Sequence, residues 1–304
     1  MATSIRKESG GSSTKRSSSG KPKKSKPPSF LEMIDESSDE DVGFSMMIYG
    51  KEGVGKSSLA AFAPSPIFLV DSQEHGIKRL KKAGLVPSSV KVGPDIQSWE
   101  MLLESLYELR DGDHSFETVV IDSLTGMQRL CFAACCYDEF DNDFSKEGFY
   151  SFGTGPKTAA QKYWPDFLGA LTELQSQNIN TITIAHSIVR TFENPEGPNY
   201  DRIEPDLDKA VSNATKRWAG SVLYARHNVD VSKEKSERKM KGKGGEQRII
   251  CTEYDAAYDA KNSYGFPSIL EPFGSPEEGW NDIYLRIQQA QGKVERPKKK
   301  KRSV

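Results

Sequence analysis

Cysteine and histidine are scarce, at four residues each in 304. Cys131, Cys135, Cys136 and Cys251 contain no C-x-x-C pair, and no histidine stands at metal-ligand spacing from them, which argues against zinc. The first residues lack the apolar stretch of a secretory signal, and no apolar run approaches membrane-spanning length. These absences lead us to expect a soluble protein of a reducing compartment with no membrane partner.

What is present is unevenly charged. Lysine plus arginine (42) nearly balance aspartate plus glutamate (43). Yet residues 1–29 are rich in Lys and Arg against one acid, Glu8, residues 32–41 ("EMIDESSDED") are acidic, and 293–302 ("KVERPKKKKR") are basic again. Segments of this composition bury too little apolar area to offset the entropy of ordering. Residues 1–42 and 292–304 are therefore predicted to be disordered tails around one domain, 43–291. The final basic run also has the look of a nuclear-import signal, although a plain basic tail explains it equally well.

Between the tails, short apolar runs alternate with amphipathic ones. "GFSMMIYG", "PIFLVD" (66–71), "ETVVID" (117–122), "TITIAHS" (181–187) and "SVLYARHNVDV" predict buried strands. A helix should run from Lys56 to about Phe62, closed by Pro64 and Pro66. A second places Ile96, Trp99, Leu102, Leu103, Leu106 and Leu109 on one face. A third, 159–175, aligns Tyr163, Trp164, Phe167, Leu168, Leu171 and Leu174, and a fourth lies around 208–218. Strands alternating with helices predict an α/β fold with a mostly parallel sheet.

The first strand leads into "IYGKEGVGKSSLAAF" (48–62), in which Gly50, Gly55, Lys56 and Ser57 fill the phosphate-loop template G-x-x-x-x-G-K-[ST]. Glycines let the backbone curl so that several N–H groups face one anion, and the following helix adds its positive end. Gly50, Lys51, Glu52, Gly53, Val54, Gly55, Lys56, Ser57 and Ser58 thus form the candidate nucleotide loop. Lys56 is placed to reach the β- and γ-phosphates, and Ser57 to ligate magnesium. The GTPase pattern N-K-x-D is absent, which favours ATP.

A magnesium site needs a carboxylate at a neighbouring strand end, and Asp122, closing "TVVID", supplies it. Many motor ATPases place a glutamate directly after this aspartate to orient water; here the next residue is Ser123. Glu74 in "DSQEHG", on a strand expected beside the phosphate loop, is the substitute general base, with Asp71 and Gln73 as rivals. His186, at the end of the fourth strand, is a candidate γ-phosphate sensor.

Three segments together carry a resemblance. "VVIDSLTGM" resembles the Walker B region of RecA-type recombinases, "LVDSQEHG" is similar to their segment supplying the catalytic glutamate, and "YDAKNSYGFPS" (258–268) to a late segment of cations. The run from Ser45 to about Leu270 resembles the short, phage-encoded, core-only RecA/Sak-like annealing and recombination ATPases, through "IAH", Trp218 before "VLYA", and Lys261–Asn262 before "GFP". The resemblance implies a RecA-like ATPase in a host cytoplasm that uses ATP and magnesium. It also implies single-stranded DNA binding in annealing, recombination or replication, a single-strand-binding protein as partner, and a homo-oligomer with ATP near subunit interfaces. In it Lys261 would reach a neighbour's ATP; where the family keeps a second cation, this chain has Ser263.

DNA contact requires cations facing phosphates. The loop 233–248 offers Lys233, Lys235, Arg238, Lys239, Lys241, Lys243 and Arg248, which fit a DNA contact or a solvated hairpin tip. The insertion at 137–156 is acidic and aromatic rather than basic, and no DNA role is assigned to it. A phosphotransferase acting on a small molecule, and a nucleotide-gated binding module with negligible hydrolysis, stay open as alternatives.

Overall fold

A computed structural model describes Ser29 and residues 42–232 and 241–295. The tail expectations, apart from Ser29, Val42 and residues 292–295, and the loop tip 233–240 lie outside the described residues. The elements are, in chain order, β1 (Ser45–Gly50), α1 (Lys56–Ala60), β2 (Pro66–Asp71), α2 (Gly76–Lys82), β3 (Lys91–Ile96), α3 (Trp99–Asp111), β4 (Thr118–Asp122) and α4 (Leu124–Glu139). After a single 3-10 turn come α5 (Thr154–Thr158), a π-helical turn (Ala159–Tyr163), α6 (Trp164–Ser176), β5 (Asn180–Ala185), β6 (Ser187–Phe192), β7 (Tyr200–Pro205) and α7 (Lys209–Trp218). The series ends with β8 (Ser221–Ser232), β9 (Lys241–Cys251), β10 (Lys261–Asn262), β11 (Ile269–Phe273) and α8 (Pro276–Ala290).

The main sheet runs β11-β9-β8-β1-β5-β4-β2-β3, with β10 paired to β8. From β8 to β3 every pairing is parallel, while β9, β10 and β11 join antiparallel. The α/β expectation of a mostly parallel sheet flanked by helices is met.

Strand alternation sends successive side chains to opposite faces. Met47, Tyr49, Val119 and Ile121 pack under α3, α4, α6 and α7, whereas Met46, Ile48, Phe68 and Val120 face α1, α2 and α8. Both faces are therefore dry, which is why the parallel strands read as unbroken apolar runs. In the first core Trp99 stacks on Trp164 at 5.7 Å, and Trp164 donates its indole N–H to Thr215 Oγ1 at 2.9 Å. Helix starts carry the polar residues expected of them: Ser98 caps α3, Asp208 caps α7, and Ser275 with Glu278 forms a capping box on α8.

Several sequence expectations need correction. Ile96 ends β3 rather than joining the helix, because Ser98 accepts from Met101 N and starts α3 two residues later. The strand β3 and helices α2, α4 and α8 escape the sequence reading, as does the β6–β7 hairpin, whose half-buried strands lack a regular apolar alternation. The segment treated as an insertion contains the end of α4, then turns through α5 into α6. Residues 241–248 are not a loop but the start of β9. Among the described residues no helix is long and apolar enough to cross a membrane.

Candidate nucleotide site

Parallel sheets gather ligands beyond the carboxyl ends of their strands, where loops and helix N-termini converge. Here β5 separates β1 from β4, so the phosphate loop after β1 faces Asp122 across the end of β5, where His186 follows. A cleft of about 490 Å³ opens there, large enough for a nucleotide.

The loop adopts the curl its glycines permit, with Gly53 at φ 76° and Gly55 at φ 97°. Glu52, Gly53, Gly55, Lys56, Ser57 and Ser58 line the cleft. Gly50, Lys51 and Val54 do not; Val54 is buried in the core beneath, and the other two turn carbonyls inward. Lys56 is buried, and its ammonium donates to Gly50 O at 2.8 Å and Lys51 O at 3.1 Å. Burial lowers the Lys56 pKa, against the pull of Asp122, Glu52 and Glu74.

Asp122 ends β4 and is itself buried. Burial, reinforced by Glu74, pushes its carboxyl up to about 6, while a hydrogen bond from Ser57 and the Lys56 charge pull the other way. Ser57 and Asp122 are hard oxygen donors brought together at the rim of the phosphate nest, a set that fits magnesium. Among the described residues no cluster of three His, Cys, Asp or Glu is ready to hold a metal, so phosphate oxygens and water would complete the shell.

The three candidate water-orienting residues separate in space. Asp71 is buried, accepts from Gln73 N at 2.7 Å, pairs with Arg129 at 3.0 Å, and serves the turn after β2. Gln73 is exposed and does not line the cleft. Glu74 does line it. The sequence expectation that its strand adjoins the phosphate loop is corrected: β4 and β5 lie between β2 and β1. Glu74 reaches the site because the chain turns back after β2, with Glu74 N bonded to Asp71 O at 3.0 Å.

Glu74 Oε1 accepts from Ser123 Oγ at 2.7 Å and lies 3.4 Å from His186 Nε2. Burial raises the Glu74 pKa, but the His186 and Ser123 hydrogen bonds and the Lys56 charge outweigh it, and the carboxyl sits below its usual range. The same Glu74 contact raises the His186 pKa. His186 Nδ1 is buried without a hydrogen-bond partner and stands 3.3 Å from Glu52 Oε1. His186 thus bridges the phosphate loop and Glu74. Ser123 is the residue that sequence reasoning missed: it was noted for the glutamate it replaces, not for the glutamate it holds. It also caps α4, accepting from Gly126 N at 3.3 Å.

Lys261 stands apart. Its ammonium donates to Arg217 O at 2.9 Å, Ala219 O at 2.6 Å and Lys216 O at 3.3 Å, the free carbonyls at the end of α7. It lines a shallow hollow with Asn213, Lys216 and Arg217, not the nucleotide cleft of its own chain.

Residues 43–264 match the family profile described as an AAA domain. No curated protein matches significantly. Among solved structures, the flagellar accessory protein FlaH from Methanocaldococcus jannaschii is similar at a TM-score of 0.36 and 11% identity, over 82% of this chain and 95% of that chain.

Proposed function

The chain belongs to the AAA-domain family of P-loop NTPases, and from that premise we propose that it hydrolyses ATP with magnesium in the cleft between the phosphate loop and Glu74. The observation that carries this reading is the position of Glu74, held by Ser123 and His186 across the cleft from Lys56, Ser57 and Asp122. The triphosphate would enter the N–H nest of Gly53 to Ser57, and Lys56 would exchange its carbonyl partners for phosphate oxygens. The cleft continues along α2, where Leu80, Ala83 and Leu85 offer an apolar wall and Arg79 a cation to the nucleoside.

Magnesium, when bound, would neutralise phosphate charge beside Ser57 and Asp122. Glu74, ionised at neutral pH, orients a water whose oxygen attacks the γ-phosphorus. The bond from that phosphorus to the β-bridging oxygen breaks, leaving ADP and inorganic phosphate. His186 would report the state of this site to the phosphate loop through Glu52. One observation favours the slower alternative, a nucleotide-gated switch. Glu74 is engaged twice and is held below the usual carboxylate range, which makes it a weak base.

The partner we propose is single-stranded DNA, supported by the RecA-type character of "VVIDSLTGM", "LVDSQEHG" and "YDAKNSYGFPS". The deciding measurement is phosphate release with magnesium, with and without single-stranded DNA, over a salt series. A working hydrolase turns over ATP in a manner lost in Lys56→Ala. DNA stimulation should fall steeply with salt. A rate indifferent to DNA but raised by a metabolite would favour a phosphotransferase.

A further inference from the structure

A second cation lies against the phosphate loop from a distant part of the chain. Gly50 pairs with Ala225 of β8, and two residues further along β8 His227 pairs with Arg248 of β9. This register puts Arg248 at the level of the phosphate loop, beyond the carboxyl ends of the parallel strands. Its side chain lies across Gly55. A Cβ on that glycine would stand 3.3 Å from Arg248 Nε, 3.6 Å from Cδ and 3.8 Å from Cζ. The missing side chain at Gly55 therefore serves twice, allowing φ 97° and leaving room for the arginine.

Arg248 Nε is buried and has no hydrogen-bond partner. An unsatisfied buried donor on a charged group is costly, and here it lies against Gly55, the residue before Lys56 in the phosphate loop. Such a donor stays unsatisfied until an acceptor, such as an anion's oxygen, reaches it. Lys56 has its carbonyl partners in the meantime; Arg248 Nε has none.

We propose that Arg248 is a phosphate-binding residue of its own chain's nucleotide site, its guanidinium meeting the polyphosphate beside Gly55. This rests on the ATP-site reading above. It ties β9 to the bound nucleotide within a single subunit, without a cation from a neighbour. The ligand class is a nucleoside polyphosphate, and the fork of N–H donors suits its oxygens.

The test compares Arg248→Ala and Arg248→Gln with wild type and Lys56→Ala in thermal melts, with no nucleotide, with Mg-ATP and with Mg-ADP. Removal of an unsatisfied buried donor predicts that the nucleotide-free melting temperature of the Arg248 variants holds or rises. Their ATP-induced shift should at least halve, with the ATP Kd weakened about tenfold. If the nucleotide-free protein melts lower while the ATP-induced shift stays whole, Arg248 is a packing residue and the proposal fails. Arg248→Gln, which keeps most of the bulk, carries the comparison should the alanine variant not fold. Lys56→Ala separates the two claims. An ATP shift that survives in Lys56→Ala overturns the ATP-site reading itself. A shift lost there but whole in the Arg248 variants overturns only the role of Arg248.

Discussion

Ser123 donates its hydroxyl to Glu74 at 2.7 Å, joining residues 49 apart in the chain. Many ATPases place a glutamate directly after the metal-binding aspartate; here a serine stands in that position and holds a glutamate from the turn after β2. The division of labour has consequences that can be measured.

Glu74→Gln keeps the size of the side chain and removes its charge. Turnover should fall about 10²- to 10⁴-fold, the usual worth of a positioned base, with ATP affinity changed less than about threefold. Steady-state phosphate release and titration calorimetry check the two halves, and unchanged turnover would remove Glu74 from the mechanism.

Ser123→Ala removes both the hydrogen bond to Glu74 and the cap on α4. The lost cap should cost about 1 kcal/mol in urea denaturation. Turnover should drop about tenfold, and Ser123→Ala combined with Glu74→Gln should be no slower than Glu74→Gln alone, because both act through one contact. Fully additive losses would show that Ser123 acts elsewhere.

His186 and Glu74 shift each other's protonation in opposite directions. A raised histidine pKa contributes stability that is fully present below its unfolded value of 6.5 and is lost as pH rises through the higher folded value. The lowered Glu74 pKa contributes above its unfolded value of 4.5 and is lost as pH falls through the folded one. The pair is therefore worth most between these limits. His186→Gln should cost about 0.5–1 kcal/mol at pH 6, and less at pH 9, in the nucleotide-free protein. A loss that grows with pH would contradict the pairing.

Asp71 is the buried rival, engaged by Gln73 N and Arg129. Asp71→Asn should keep turnover within about threefold of wild type, since the residue lies outside the cleft. Arg129→Ala leaves the Asp71 charge buried with only the Gln73 N–H for support, at a cost of about 1–2 kcal/mol, discounted because Arg129 is half exposed. Loss of turnover in Asp71→Asn with an unchanged melting temperature would reverse the assignment of Asp71 and Glu74.

Legibility followed the range of the interactions. The strands β1, β2, β4 and β5 could be read because burial on both faces makes each a continuous apolar run. The phosphate loop could be read because its geometry is local, set by glycines and the start of one helix. Helix α4 could not, because its apolar positions are interleaved with Gly126, Arg129 and three cysteines, and the acidic turn after it drew the reading toward an insertion. The β6–β7 hairpin is half-buried without a regular alternation of apolar and polar residues, so it carries little periodic signal.

The residues themselves determined that an anion nest follows β1, that Asp122 closes a buried strand, and that the chain alternates strands with helices. These follow from backbone freedom and side-chain periodicity within a few residues. Tertiary structure decided the rest, because strand order is a property of pairing between distant segments. It set β4 and β5 between β2 and β1, put Glu74 on the cleft and buried Asp71 against Arg129. It gave Ser123 a partner, sent Lys261 to the carbonyl end of α7, and laid Arg248 across Gly55.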